Sequence, residues 1–510
     1  MMQRLRTIAC SIIALFCLCQ SARAQGTVWA WGFNQNGQLG NGTYTTTSPY
    51  GIDTPGTISG LTGVTAIAGG YLYSLALKSD GTVWAWGWNP YGELGNGTYT
   101  DSNTPVQVSG FTGVTAIAGG FEHALALKSD GTVWAWGLQS LGELGNGTFG
   151  SPFGFTGSNT PVQVLGPGGA GYLTGVTAIA AVGFHSLALK NDGTVWAWGH
   201  NQYGELGNGT YTNNDTPVQV LGPGGVGFLT GVTALGGGQY HSLALKSDGT
   251  VWAWGQNTSG ELGNGVFDSP AQIPPQDTPG QVLGPGGVGF LGGVTAITGG
   301  SLSSHSLALK NDGTVWAWGQ NTSGELGNGT TNPSNTPLQV LGPGGVGYLT
   351  GVAAIARGRG DSLALKSDGT VWAWGRNFAG ELGNGTFTDS NMPVQVLGPG
   401  GVGFLSGVTA IAGGGLHSLA LLGATPQQAI NSLIAQVISP GLGFRNGEKT
   451  SLIAKLNAAL GYLQAGDTAD AIAVLQAFIN EVNALVNSDR LTTAAAAPLI
   501  SAAEGIIAEL

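Results

Sequence analysis

A four-residue motif, Trp-Ala-Trp-Gly, recurs along the chain and constrains its fold more than any other feature. Successive copies are separated by 50 to 64 residues and begin at Trp29, Trp84, Trp134, Trp196, Trp252, Trp316 and Trp372. Repeats with this period are typical of propellers and solenoids. Each copy runs through the same order of segments: "TVWAWG", "GELGNGT", "TPVQV", "GVTAIAGG" and "HSLALK".

Four segments of each repeat are rich in Val, Thr, Ile and Trp and are separated by Gly, Asn-Gly and Asp-Gly turns. They predict four antiparallel strands, here named A (TVWAWG), B (TPVQV), C (VTAIA) and D (SLALK), which together make one propeller blade. The two tryptophans of strand A are two residues apart, so both are expected on one face of the sheet with the intervening Ala on the other. Large and small side chains on opposite faces suit blades that pack face to face.

The two ends of the repeat region carry the two halves of one hairpin. The first "TVWAWG", at 27–32, has no upstream "SLALK", and the last "HSLALL", at 417–422, has no downstream "TVWAWG". Pairing these ends closes a ring and removes the exposed strand edges of an open array. We therefore predict an all-β seven-bladed propeller over residues 25–422, closed by its N- and C-terminal strands.

The N-terminal residues 1–24 read as a secretory signal peptide. Arg4 and Arg6 precede an apolar run at 8–18, and Ala22 to Ala24 form a small-x-small cleavage site. The run is too short for a membrane span. All three cysteines fall within it or just beside it, at positions 10, 17 and 19, so the mature chain is expected to lack disulfides and thiolate chemistry. We predict a secreted or periplasmic protein cleaved near Ala24.

After residue 422 the composition changes to Ala, Leu and Ile at helical spacing, which predicts a small all-α domain over 423–510. In its third helix, an apolar stripe is expected to face the core. Helices are expected near 426–438, 448–465, 467–488 and 492–509.

The net charge of the chain limits its partners. The formal net charge is −11, from 16 basic and 27 acidic residues, and three of the basic residues lie in the predicted signal. An acidic chain without Lys or Arg clusters is unsuited to nucleic acid and gains no attraction to an anionic membrane. We expect neither nucleic-acid binding nor a membrane span.

The repeats resemble the regulator of chromosome condensation family of seven-bladed propellers. The resemblance is carried by "IAGGGLHSLAL", residues 411–421, and by "GHNQYGELGNGT", residues 199–210, and it covers residues 26–422. The segment "LNAALGYLQAGDTADAIAVLQAFINEVNAL", residues 456–485, is similar to the FIMAH module of secreted bacterial proteins. The resemblance implies a propeller whose roles in the family include guanine-nucleotide exchange on a small GTPase and, in bacteria, inhibition of a β-lactamase by a secreted protein.

Two polar residues recur once per repeat and are candidate site residues. Five blades carry a His before "SLAL", with Tyr73 and Asp361 in the other two, and one His per blade favours hydrogen bonding to backbone over a metal site. Six "GELGNG" segments carry a Glu, with Gln38 in the seventh, for which a solvated or capping role is favoured over a carboxylate pair. We expect no catalytic residue, no metal ligand and no cofactor.

Positions that are identical in every repeat are explained by the blade, so function is expected where the repeats differ. Antiparallel topology places the A–B and C–D connections on one face of the disc, and variation collects there. Three A–B connections are also longer, at 44–53, 149–159 and 266–277. Insertions on one face of a repeat array are typical of a binding face, and aromatic and Arg side chains dominate interfaces. The predicted binding residues are Phe33, Trp88, Tyr91, Phe121, Glu122, Phe153, Phe155, His200, Tyr203, Tyr240, Arg359, Arg376 and Phe378.

These observations predict a secreted or periplasmic, monomeric, non-catalytic protein that binds another protein, or a cell-surface glycan, through this face. The alternative is a carbohydrate-active or lyase-type enzyme with a site in the central channel, which would require acid, base or metal ligands to converge there. Guanine-nucleotide exchange is disfavoured, because the signal peptide directs the chain away from nucleotide.

Overall fold

The computed structural model describes residues 26–150, 156–269, 276–299, 303–423, 426–439 and 442–510. Within these residues 28 strands form seven antiparallel sheets of four strands each. The seven-bladed propeller predicted from the repeats is thereby confirmed.

Strands A and D form the middle of every sheet. The A strands are β1 Thr27–Phe33, β5 Val83–Gly87, β9 Val133–Leu138, β13 Val195–Gly199, β17 Val251–Gly255, β21 Val315–Gly319 and β25 Val371–Gly375. The D strands are β4 Tyr73–Lys78, β8 His123–Lys128, β12 His185–Lys190, β16 His241–Lys246, β20 His305–Lys310, β24 Asp361–Lys366 and β28 His417–Leu422.

Strands B and C form the two edges of every sheet. The B strands are β2 Gly51–Thr57, β6 Ser102–Gln107, β10 Gly157–Gln163, β14 Asn214–Gln219, β18 Gln276–Gln281, β22 Ser334–Gln339 and β26 Ser390–Gln395. The C strands are β3 Val64–Gly69, β7 Val114–Gly119, β11 Val176–Val182, β15 Val232–Gly237, β19 Val294–Ile297, β23 Val352–Arg357 and β27 Val408–Gly413.

Every sheet has the order C-D-A-B. Blades 1 to 6 are each built from four consecutive strands, starting with β3 to β6. Blade 7 has the order β2-β1-β28-β27, so the first strand of the chain pairs with the last. This is the ring closure predicted from the two half-repeats. Because of it, β1 and β28 are each paired on both edges.

The seven C strands line a central channel of ≈ 260 Å³. Each contributes small and aliphatic side chains, as in Ile67, Ala68 and Gly69 of blade 1. At one channel end Arg357 is buried, and its guanidinium donates to the carbonyl oxygens of His305 and Gly237. Two blades are thus tied to a third by one side chain.

Adjacent blades pack large against small side chains, as the strand A pattern predicts. Trp134 and Trp136 of blade 2 both pack into a cluster that contains Leu75, Val83 and Ala85 of blade 1. The second Trp of each motif is fully buried, whereas the first is half-buried beneath a Lys of the preceding strand D in several blades. The inner tryptophans are therefore the main apolar contacts between blades.

The C-terminal region forms a second compact unit of four helices, α1 Pro426–Ile438, α2 Asn446–Gln464, α3 Thr468–Asn487 and α4 Thr493–Glu509. The Asp467 carboxylate caps α3 by accepting from the Asp470 amide at 3.1 Å. The α3 stripe, from Ala471 to Val482, is buried in the core of this unit. By length and composition α3 is also the one helix among the described residues that is able to cross a membrane, but that buried stripe is what a core helix has.

Candidate functional site

The predicted binding face is organised by hydrogen bonds that join each C–D turn to the A–B connection of its own blade. In blade 3 the His200 amide donates to the Phe184 carbonyl at 3.0 Å, and in blade 1 the Trp88 amide donates to the Leu72 carbonyl at 2.9 Å. The same bond is made in all seven blades. The variable residue after each Trp-Ala-Trp-Gly therefore lies beside the variable residues before strand D, as the topology predicts.

The A–B connections are held rigid by their recurrent polar residues. In blade 3 the Asn201 Oδ1 accepts from the Leu206 amide at 2.9 Å, and its Nδ2 donates to the Thr210 carbonyl at 2.9 Å. Glu205 Oε2 accepts from the Tyr203 amide at 2.9 Å. These bonds fix the loop that presents Tyr203, so its position is set before any partner arrives.

The recurrent glutamates are buried, so the predicted solvated role is wrong. The predicted capping role is confirmed, because each carboxylate accepts from the backbone amide two residues before it. All six have exposed fractions of 2% or less. Burial raises the pKa of the Glu143, Glu261 and Glu381 carboxyls to about 7. In blade 7 the Gln38 amide oxygen accepts from the Asn36 amide at 3.0 Å, so a neutral side chain does the same work.

The recurrent histidines bridge adjacent blades through side chains, which corrects the prediction of backbone partners. His185 Nε2 lies 2.8 Å from Ser242 Oγ of the next blade, and His305 Nε2 lies 2.9 Å from Ser362 Oγ. Burial lowers the pKa of the His123 and His417 imidazoles to about 3. No group of three His, Cys, Asp or Glu with metal-site geometry occurs in the part of the chain that the structure describes.

Four consecutive C–D turns place an aromatic ring around the channel mouth on the predicted face. Tyr71, Phe121, Phe184 and Tyr240 follow one another through blades 1 to 4, with centroid separations of 4.6, 4.6 and 5.8 Å. Tyr203 extends the row, 4.9 Å from Tyr240. These five half-buried rings are called the aromatic arc below.

The turns that carry the aromatic arc are linked by backbone hydrogen bonds between blades. The Tyr71 amide donates to the Phe121 carbonyl at 3.1 Å, and the Phe121 amide donates to the Gly183 carbonyl at 2.9 Å. On the far side of the ring, the Arg359 amide donates to the Gly415 carbonyl at 3.2 Å. The arc is therefore a preorganised surface, whose ordering entropy is lost on folding instead of on binding.

Two further side-chain contacts lie on the same face as the aromatic arc. The His200 imidazole Nδ1 lies 2.6 Å from Glu205 Oε1, and its ring centroid lies 5.3 Å from Tyr240. In blade 6 the Arg376 guanidinium lies 4.2 Å above the Phe378 ring, and Arg359 is exposed. The face thus carries the aromatic row over blades 1 to 4 and two arginines, Arg359 and Arg376, at blade 6.

Not every predicted residue is available to a partner. Phe33, Glu122 and His200 are buried, with exposed fractions of 9%, 8% and 6%, so their expected exposure is wrong. Burial and the neighbouring Glu143 charge raise the pKa of the Glu122 carboxyl to about 8. Phe33 instead packs against Ala379 and Leu416. Trp88 and Tyr91 form an edge-to-face pair with ring centroids 5.4 Å apart.

The remaining predicted residues fall in three places. Phe121, Tyr203 and Tyr240 lie within the aromatic arc, whereas Arg359, Arg376 and Phe378 lie in blade 6. Phe153 and Phe155 lie outside the described residues.

Sequence reasoning missed two groups of aromatic residues on this face. Tyr71 belongs to the arc, and the absence of an aromatic at the matching turn of blades 5 to 7 was the available signal. Phe184 also belongs to the arc; it stands at a variable position before strand D that was expected on this face, but it was not among the predicted binding residues. A second group lies at the tips of six A–B connections. The repeats carry an aromatic residue at this position in common, and the prediction considered only positions that differ between repeats. Its members are exposed: Tyr44, Tyr99, Phe149, Tyr211, Phe267 and Phe387.

The channel offers little to the alternative of a central catalytic site. Its described lining residues are Ile, Leu, Ala, Gly and Thr298, with no carboxylate and no histidine among them. The apolar wall of C-strand side chains keeps the buried glutamates and histidines out of the channel.

Comparison with known proteins agrees with the architecture. The model of the Regulator of chromosome condensation (RCC1) repeat matches seven segments, residues 25–77, 80–127, 130–189, 192–245, 248–309, 312–365 and 368–421. The FIMAH domain model matches residues 429–508. Together these matches cover both the propeller and the helical unit.

Curated relatives are similar over the repeats. Probable E3 ubiquitin-protein ligase HERC6 of Homo sapiens is 32% identical over 246 residues, which is 48% of this chain and 22% of that protein. The Ultraviolet-B receptor UVR8 of Arabidopsis thaliana is 29% identical over 373 residues, covering 72% of this chain and 76% of the receptor. The chain spans less than a quarter of the HERC6 length, so the ligase activity of HERC6 is not carried over.

Solved propellers share the fold. Human WBSCR16 has a TM-score of 0.64 at 23% identity, covering 78% of this chain and 99% of that one. Prp20p of Saccharomyces cerevisiae, described with its binding to Gsp1p and histones, has a TM-score of 0.63 at 20% identity, covering 82% of this chain and 96% of that one.

Proposed function

The chain belongs to the family of Regulator of chromosome condensation (RCC1) repeat proteins, and from this premise we propose that it is a non-catalytic binding protein that recognises another protein through the A–B/C–D face. The observation that carries the proposal is the aromatic arc. Four consecutive blades carry an aromatic side chain in the C–D turn, one or two residues before strand D, and the C–D turns of the other three blades have none in the described residues. The propeller therefore does not need these rings to fold.

The chemistry of the face suits a protein partner. The half-buried Tyr and Phe rings of the arc lie on a rigid backbone and supply contact area at little entropic cost, and exposed Arg359 supplies a charge-assisted anchor. The related Prp20p propeller binds the proteins Gsp1p and histones, which supports protein recognition as the class. A partner would fit both features if it carried an apolar ridge that contacts the arc and an acidic group that contacts blade 6, with the width of blade 5 between them.

We further propose that the protein acts outside the cytoplasm. The support is the basic and apolar pattern of residues 1–24 and the lack of cysteine after Cys19. Mass spectrometry of the chain recovered from periplasm or medium tests this proposal. A mature N-terminus at or near Gln25 is expected, and an intact Met1 in the cytoplasm would contradict it.

The binding proposal is tested by affinity capture from envelope and culture-supernatant fractions. The wild-type chain is compared with a triple variant, Phe121→Ala, Tyr240→Ala and Arg359→Ala, and with a control in exposed D–A turns of the opposite face, Ser129→Ala, Ser247→Ala and Ser367→Ala. A protein that wild type and control retain, and that the triple variant releases by at least about tenfold, is expected from loss of two aromatic anchors. Equal retention by all three chains would overturn the assignment of the face.

The same capture separates a protein from a glycan partner. Fractions are treated either with protease or with glycan-degrading enzymes before capture. Protein recognition predicts that protease treatment abolishes retention, whereas retention lost only on glycan removal would replace the protein by a cell-surface glycan. Each chain is first checked for an unchanged melting temperature, so that loss of binding is not loss of fold.

A further inference from the structure

Five of the seven B–C connections carry an insertion that the propeller does not require. The short connections, 58–63 and 108–113, read "ISGLTG" and "VSGFTG", whereas the others read as in "VLGPGGVGFLTG" of residues 220–231. The residues at both ends are buried in either form, as are Val108 and Phe111 in one and Val220 and Leu229 in the other. The core contacts of the connection are therefore complete without the insertion.

Each insertion folds as the same small hairpin, called here a tip hairpin. In residues 220–231 Leu221 bridges Phe228, and the Gly222 amide donates to the Gly227 carbonyl at 3.0 Å. A 3-10 turn at Pro223–Gly225 follows, in which Gly224 has φ of 62°. The equivalent glycine of the other four hairpins lies within a few degrees of this value, with φ of 63°, 64°, 63° and 61°. Five rigid and nearly identical tips result.

The tips expose apolar side chains that nothing in the described structure covers. Four carry a valine that is 79% or 80% exposed, namely Val226, Val288, Val346 and Val402. All five carry an aromatic residue with an exposed fraction of 52% to 59%, namely Tyr172, Phe228, Phe290, Tyr348 and Phe404. No charged residue occurs in any tip hairpin. Contiguous exposed apolar surface of this kind marks an interaction site.

The face that carries the tip hairpins is electrically neutral. It is shared with the D–A turns, which contribute six lysines and six aspartates, one of each per turn, as Lys246 and Asp248. All other acidic residues of the propeller, from Asp53 to Asp389, lie in or at the ends of the A–B and C–D connections. Although the protein is acidic overall, its tip-hairpin face carries no formal net charge from the propeller residues.

The regularity of the tips decides what kind of partner fits them. Because the five hairpins have the same conformation at the same place in consecutive blades of a closed ring, we expect their tips to lie near one plane. A folded protein presents different side chains to each position along an arc, whereas a lipid surface presents the same apolar layer everywhere. A polysaccharide would call for carboxylate, amide or basic side chains beside the aromatic rings, and no tip hairpin contains Asp, Glu, Asn, Gln, Lys, Arg or His. Valine beside Phe or Tyr suits the boundary between headgroups and acyl chains.

From these observations we propose that the five tip hairpins form a lipid-binding surface, which inserts valine and aromatic side chains into the headgroup boundary of a zwitterionic bilayer. Attachment is multivalent, since the first inserted tip holds the other four at the surface. The attachment uses apolar side chains, so the negative net charge of the chain does not oppose binding to a neutral lipid surface. The A–B/C–D face remains directed away from the membrane, free for a protein partner.

Flotation with phosphatidylcholine vesicles tests the proposal. The chain is prepared without residues 1–24, whose apolar run would itself bind lipid, and every described strand lies after residue 26. Wild type is expected to float with the vesicles at about 0.15 M salt and equally at about 0.5 M, because apolar insertion is not screened. A variant with Val226, Val288, Val346 and Val402 changed to Ser should lose at least about tenfold in partitioning.

A matched variant places the same number of changes on the opposite face: Tyr44→Ser, Tyr99→Ser, Phe149→Ser and Phe387→Ser. It should float like wild type. The proposal is overturned if the wild type does not float, or if the matched variant loses as much as the valine variant. It is also overturned if sedimentation shows a dimer that only the valine variant loses while no chain binds lipid, because a second copy would then be the occupant.

Discussion

The Nε2 atom of His417 in the last blade lies 2.7 Å from the Oγ atom of Ser74 in the first, across the seam where the ring closes. The Ser74 hydroxyl donates to the Gln38 carbonyl at 2.9 Å, so its oxygen is left to accept. The imidazole must therefore carry its proton on Nε2. The same His–Ser–carbonyl relay is repeated between other blades, as in His185, Ser242 and Glu205.

One blade junction solves the same problem with a different pair. Blade 1 has Tyr73 in place of His, and blade 2 has Ala124 in place of Ser. The Tyr73 side chain is longer than that of His, so it extends beyond the position that the hydroxyl of a serine at position 124 would occupy. Its own hydroxyl donates to the His123 carbonyl oxygen. The two departures from the repeat compensate each other, which yields two complementary predictions.

Removing the hydroxyl at the seam should destabilise the ring. Ser74→Ala leaves the buried Nε2–H of His417 without an acceptor, and we expect a loss of about 1 to 3 kcal/mol in the free energy of unfolding, measured by urea denaturation. The double variant Ser74→Ala with His417→Tyr copies the natural Tyr73–Ala124 junction. It should recover at least half of the loss. A double variant less stable than Ser74→Ala alone would contradict the relay.

The reverse exchange is expected at the natural exception. Tyr73→His alone places an imidazole opposite Ala124, with no hydroxyl to meet it and with a smaller volume, and should cost about 2 to 4 kcal/mol. Adding Ala124→Ser restores the relay of the other blades. A double-mutant cycle should give a coupling of at least about 1 kcal/mol between the two positions. Additive effects would show that the pair is not coupled.

The two tryptophans of one motif should differ in importance. Trp254 is fully buried and its Nε1 donates to the Glu205 carbonyl at 2.7 Å, whereas Trp252 is half-buried and donates to Thr250 Oγ1 at 3.2 Å. We expect Trp254→Phe to cost about 2 to 4 kcal/mol through a lost hydrogen bond and a cavity. Trp252→Phe is the matched control and should cost about 1 kcal/mol or less. Equal costs in urea denaturation would refute the assignment of the inner Trp as the principal contact.

The buried glutamates should make stability depend on pH. Burial raises the pKa of Glu143 to about 7. A raised folded-state pKa stabilises the fold below the unfolded value and loses that contribution as pH rises through about 7. Glu143→Gln removes the dependence, so the variant should gain about 1 to 3 kcal/mol relative to wild type between pH 4.5 and 8.

Blade 7 supplies the converse control for this prediction. Gln38 already occupies the glutamate position, and its amide oxygen accepts from the Asn36 amide. Gln38→Glu should introduce a new loss of stability with rising pH over the same range. Thermal melting at closely spaced pH values measures both variants, and curves parallel to that of wild type would show that these carboxyls do not titrate there.

Much of the architecture is readable from the residues alone. The seven Trp-Ala-Trp-Gly motifs give the blade number, and the half-repeats at 27–32 and 417–422 give the closure, because both depend on order along the chain. The helix positions follow from local apolar spacing and the Asp467 cap. Local patterns are sufficient where the determinant lies within a few residues.

The burial of Glu143 and the partner of His417 could not be read in this way. The residues that determine them come from another blade, and His417 and Ser74 are separated by 343 positions in the chain. The sequence by itself determined the repeat, the strand order and the ring. Only the tertiary structure decided which repeated side chains are buried between blades, as Glu143 is, and which are exposed, as Val226 is. The physical reason is that a repeat fixes the backbone of each blade identically, whereas the surroundings of a side chain depend on the neighbouring blade and on solvent.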